Sequence, residues 1–81
     1  MGIVHVTPSH IAMQFGDRMV TVECESYARG HGSPDFVIYA DSIRKWDSPH
    51  NQINIDSETK AQILELLKTE MKQRNWSFEI E

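Results

Sequence analysis

The stretch HIAMQFGDRMVTVECE, residues 10–25, decides the architecture. It alternates apolar and polar residues on both sides of Gly16-Asp17. Glycine at the first of two central positions signals a type II′ hairpin turn, whose backbone twist suits the flanking strands. A two-residue loop pairs Phe15 with Arg18, Met13 with Val20 and Ile11 with Val22. Opposed residues share a face. Ile11, Met13, Phe15, Val20, Val22 and Cys24 therefore line one face. His10, Ala12, Gln14, Thr21 and Glu23 line the other, with Met19 its one large apolar member. A slip of one residue would turn the apolar set to water, so turn and pattern specify one register.

Outward from the hairpin, residues 3–7 (Ile-Val-His-Val-Thr) are β-branched and read as a short strand ended by Pro8-Ser9. Residues 26–34 form a loop with Gly30, Gly32 and Pro34. Residues 35–40 read as a further strand. Its Phe-Val-Ile-Tyr run is apolar on both sides, as expected of a strand inside its sheet. Residues 41–46 are ambiguous: Asp41 could cap one helical turn carrying Ile43 and Trp46. Residues 47–54 are a polar loop. Asp56 is a good N-cap for a helix whose Ile63, Leu64, Leu67 and Met71 share one face, with Leu66 beside it. Glu65–Lys68 and Glu70–Arg74 are favourable surface pairs, and Asn75 suits a left-handed cap. Trp76, Phe78 and Ile80 then alternate inward along a last strand. The expected fold is α+β, in the order β-β-β-β-α-β. A largely antiparallel sheet of about five strands packs one long helix on its apolar face.

The 81 residues support one core and not two, so residues 1–81 are expected to form a single domain. Such a domain offers little depth for an enclosed active site. The net charge is −4 and is spread evenly, without a basic patch or tail. That opposes nucleic-acid and anionic-membrane binding and suits a basic protein partner. No run is long enough to span a bilayer, and no secretory signal is visible. The lone Cys24 fits a reducing, cytoplasmic setting.

No constellation argues for chemistry. His5, His10, His31 and His50 include no i, i+4 pair on the helix, so no metal and no cofactor are expected. Cys24 lies on the core face of the hairpin, where a thiolate is disfavoured. Asp41 and Asp47 read as solvated charges or a cap. Tyr39, Trp46 and Trp76 with Arg44 and Lys45 could stack bases, but net acidity opposes a phosphate track. The chain does not read as an enzyme. What remains is the stretch from Pro34 to Pro49, rich in the Tyr, Trp and Arg that anchor protein interfaces. Phe36 and Ile38 read as core, whereas Tyr39 and Trp46 could serve core or contact.

Asp35-Phe36-Val37-Ile38-Tyr39, Ser42-Ile43, Trp46, the acid-capped Asp56-Ser57-Glu58 helix start and the terminal Phe78-Glu79-Ile80-Glu81 together resemble small immunity proteins of bacterial polymorphic toxin systems. The resemblance covers most of the chain and is sharpest over residues 35–46. It implies binding and neutralisation of a cognate toxin domain, and it supplies no catalytic residues. The candidate partner-binding residues are Asp35, Tyr39, Asp41, Arg44, Trp46 and Asp47. His31 and His50 join them from the two loops flanking that stretch, as exposed loops commonly carry contacts. The alternative is a structural domain without a toxin partner, forming a homodimer through an exposed edge strand.

Overall fold

The computed structural model describes residues 1–27 and 34–81. Its elements are β1 (Gly2–Val6), β2 (His10–Phe15), β3 (Arg18–Ser26), β4 (Phe36–Ile38), a 3-10 turn (Ala40–Ser42), α1 (Ser57–Gln73) and β5 (Phe78–Ile80). The five strands form one sheet in the order β1-β2-β3-β4-β5. Three pairings are antiparallel, and β4–β5 is parallel because α1 carries the chain back between them. This is the expected α+β architecture.

The hairpin register is the one that the alternation demands: Phe15 opposes Arg18, Met13 opposes Val20 and Ile11 opposes Val22. Gly16 takes φ +68, the left-handed value a type II′ turn needs at its first central residue. The core face buries Ile11, Met13, Val20, Val22, Cys24 and Ile38 against Ile63, Leu67 and Met71 of α1, and Ile43 and Trp46 close it. Leu64, Leu66, Trp76, Phe78 and Ile80 are partly buried around this cluster.

The ends of α1 follow from local chemistry. The Asp56 carboxylate accepts from the Thr59 N–H at 2.7 Å. At the other end Asn75 has φ 57. The Trp76 N–H bonds the Met71 carbonyl and the Asn75 N–H bonds that of Lys72, which is the Schellman pattern. The surface pairs Lys68–Glu65 and Arg74–Glu70 form at 3.2 and 3.5 Å.

Two local expectations change. The fourth strand is shorter than residues 35–40. At its start the Asp35 carbonyl still accepts the Tyr27 N–H, while towards β5 side-chain bonds take over: Ser77 Oγ accepts from the Asp35 N–H, and the Asp35 carboxylate accepts from the Ser77 N–H. At its end the Ala40 N–H turns to the Glu81 carbonyl and the 3-10 turn begins. Asp41 consequently lies inside that turn and does not cap it, and Tyr39 occupies the cap position.

Beyond β4, the edge of the longer β3 is covered by the segment that follows. Tyr39 N–H bonds the Glu23 carbonyl, Ser42 Oγ accepts from the Glu23 N–H, and Asp47 N–H bonds the Met19 carbonyl. The outer edge at β1 carries a bulge between Ile3 and His5, and the Glu70 carboxylate accepts the Ile3 N–H at 2.9 Å. Both devices blunt an edge against further pairing.

Candidate partner-binding face

The residues nominated from the sequence separate into structural and exposed groups. Trp46 is only 6% exposed. Its ring lies 6.1 Å from that of Phe15, and the Arg18 guanidinium sits 5.5 Å from its centroid. Trp46 therefore closes the core at the hairpin tip. Asp35 clasps β4 to β5 through Ser77. Asp47 is half-buried and accepts the Thr21 hydroxyl at 2.7 Å, which ties its loop to β3. His50 is half-buried in that loop, its N–H on the Asp47 carbonyl. His31 lies outside the described residues. Asp41 is exposed and pairs loosely with Lys60 at 3.3 Å. Arg44 is exposed, with its Nε–H on the Asp41 carbonyl.

Tyr39 is brought together with residues that sequence reasoning did not nominate. The helix covers one face of the sheet, and the register dictates what the other face presents. Glu25 opposes Val37, and Val37 opposes Glu79, so Glu25, Val37 and Glu79 form one row across three strands. The next row is Glu23, Tyr39 and Glu81, joined through the Tyr39 N–H to the Glu23 carbonyl and the Ala40 N–H to the Glu81 carbonyl. A central column of Val37 and Tyr39 is thus flanked by glutamates from β3 on one side and from β5 and the residue after it on the other. All four glutamates are exposed, whereas Val37 between them is 5% exposed.

The tyrosines organise this face. Tyr27, 43% exposed, donates its phenol hydrogen to Glu25 Oε2 at 2.8 Å. The Tyr39 phenol stands on the same face, near enough to the same carboxylate to interact with it. The phenols, Tyr27 first and then Tyr39, hold the Glu25 carboxyl below the usual carboxylate range. In turn the Tyr39 phenol is pushed up to about 12, foremost by the Glu25 carboxylate and further by desolvation and the charges nearby. The Tyr27 phenol is raised for the same reasons, with Glu81 and Glu79 adding to Glu25. At neutral pH the face therefore carries an ionised Glu25 that accepts from the neutral Tyr27 phenol, with the neutral Tyr39 phenol nearby. Tyr39 stands between two shallow depressions, one lined by Glu23, Asp41, Ser42 and Arg44, the other by Ser9, His10, Glu23 and Glu25.

Fixed carboxylates beside phenol rings can take cationic side chains by ion pairing and by cation–π contact. Elsewhere, burial pushes the Cys24 thiol up, which withholds the thiolate a nucleophile needs. Among the described residues, no three His, Cys, Asp or Glu side chains are grouped to hold a metal ion. No helix among them is long and apolar enough to cross a membrane.

Comparison with curated proteins and with solved structures returns no significant match. Comparison with family models does: residues 3–81 match the model described as Immunity protein 74. The match takes in every strand, the helix and both rows of the glutamate–tyrosine face, and the chain belongs to the Immunity protein 74 family.

Proposed function

We propose that this chain binds a cognate toxin domain of a bacterial polymorphic toxin system and neutralises it by forming a tight, non-catalytic complex. The observation that carries this reading is the family match over residues 3–81, since an immunity protein has in general a toxin as its partner. The physical features agree with it. The chain is acidic, its one thiol is buried, and four exposed glutamates share the sheet face opposite α1, a surface suited to a protein partner. On this reading the protein works in the cytoplasm of the producing cell, where an incoming toxin meets its target.

The test is co-expression with the toxin domain encoded beside this chain. Growth should be arrested by the toxin alone and restored when the chain is present, and the two should co-purify as a stoichiometric complex. Equal killing with and without the chain, at matched expression, refutes the proposal.

A further inference from the structure

We infer that the open face of the sheet, built on Glu23, Glu25, Tyr27, Tyr39, Glu79 and Glu81, is the docking surface, and that its occupant is a lysine- or arginine-rich surface of the toxin domain. This inference rests on the proposed function and adds to it the face and the chemistry.

The sheet has two faces, and α1 with its Ile63, Leu67 and Met71 occupies only one. On the free face the register sets Glu25 and Glu79 two strand spacings apart, and likewise Glu23 and Glu81. That is about 10 Å, wide enough to seat a lysine or arginine side chain over the central column. Four carboxylates carry the charge here. Four of the basic residues (Lys60, Lys68, Lys72 and Arg74) lie on α1 or its C-cap, and Arg18 is spent on Trp46. The other described cations stay at the rim or beyond it: Arg44 lines a depression there, Lys60 reaches the Asp41 of that depression, and Lys45 follows Arg44 along the chain; none stands in the two glutamate rows. The surface is therefore polarised, and a basic partner is steered to this side.

Preorganisation is the second argument. Glu25 is held by the Tyr27 phenol at 2.8 Å on a strand paired on both sides, so less side-chain entropy is lost when a cation docks. Tyrosine is among the commonest interface anchors, and Tyr39 projects between two hollows that could admit partner side chains. A second copy of this chain is a poor occupant, because the same carboxylates would meet across the interface.

The experiment is calorimetric titration of the full chain with the toxin domain encoded beside it, in 50 and 500 mM salt. Wild type should bind, and should lose at least tenfold in affinity at high salt. The pair Glu25→Lys with Glu79→Lys should weaken binding at least 100-fold. A control pair with the same charge change, Asp17→Lys with Glu65→Lys, should stay within about threefold. Circular dichroism verifies folding; if the lysine pair does not fold, Glu79→Gln with Glu81→Gln replaces it, with at least a tenfold loss expected. If wild type does not bind the toxin, the proposed function fails. If wild type binds and the face variants match the control, the function stands and this surface is wrong. A wild-type homodimer that Glu25→Lys with Glu79→Lys dissociates would assign the face to a second copy and overturn the inference.

Discussion

Replacing Trp46 by alanine separates a core residue from an interface anchor. The indole is 94% removed from solvent, stacked near Phe15 and covered by Arg18. An indole buries about 200 Å², which at about 25 cal/mol per Å² corresponds to roughly 5 kcal/mol of transfer free energy. Alanine keeps a little of that, and the hole left at the hairpin tip collapses only in part. The expected loss is about 3–5 kcal/mol. A chain of this length has a total stability of about 4–12 kcal/mol, so roughly a quarter or more of it should disappear. Urea unfolding followed by circular dichroism reads the effect. With a slope of about 1.5 kcal/mol per M, a 4 kcal/mol loss moves the midpoint by almost 3 M. Trp46→Phe should recover much of the loss, because a smaller ring still packs on Phe15. Toxin affinity of Trp46→Phe should remain within a few-fold of wild type. The reasoning is refuted if Trp46→Ala loses less than about 1 kcal/mol, the scale of an ordinary surface substitution, or if Trp46→Phe folds normally but no longer binds.

Tyr27→Phe leaves Tyr39 as the only tyrosine. Its absorbance titration should then show a midpoint near 12, against about 10 for a free phenol; a midpoint near 10 in the folded chain would refute the interaction with Glu25. Because the folded value is the raised one, Tyr39 contributes stability fully below about pH 10. That contribution falls as pH rises towards 12, so wild type should lose more stability than Tyr39→Phe over that rise. The Asp56 carboxyl is lowered by the Thr59 side chain and N–H. Its contribution is present above the unfolded value near 4 and is lost as pH falls through the lower folded one. Melting curves between pH 5 and 2.5 should show Asp56→Asn losing less on acidification than wild type. Asn75 holds φ 57, where a β-carbon costs about 1–2 kcal/mol. Asn75→Gly should be neutral or stabilising in urea unfolding and Asn75→Val destabilising by about 1–2 kcal/mol; the reverse order would remove the Schellman turn as its cause.

The open face shows why a fold can be legible while its site is not. The polar side of the hairpin already contained Glu23, and the last strand already alternated Glu79 and Glu81 outward. Neither pattern says that these carboxylates are neighbours. Their rows exist only because β4 lies between β3 and β5, with Glu25, Val37 and Glu79 in line. The aromatic-rich stretch shows the converse, residues of interface composition in structural places. Tryptophan and aspartate at 46 and 47 have the composition of a hot spot, yet they close the core and tie a loop to β3. Amphipathic side chains fit both environments, so composition alone does not separate the roles.

By itself the sequence determined the β2–β3 register, the helix with its Asp56 and Asn75 caps, and the inward set of the last strand. Each is a local matter, settled within a few residues by strand alternation, helical periodicity, caps and left-handed turn positions. Only the tertiary structure decided that β5 pairs parallel to β4, that Trp46 is buried, and that two tyrosines stand with Glu25 among four exposed carboxylates on the face opposite α1. Those contacts join residues far apart in the chain (the Ala40 N–H and the Glu81 carbonyl, for instance), and it is chain return through α1, not local preference, that brings them together.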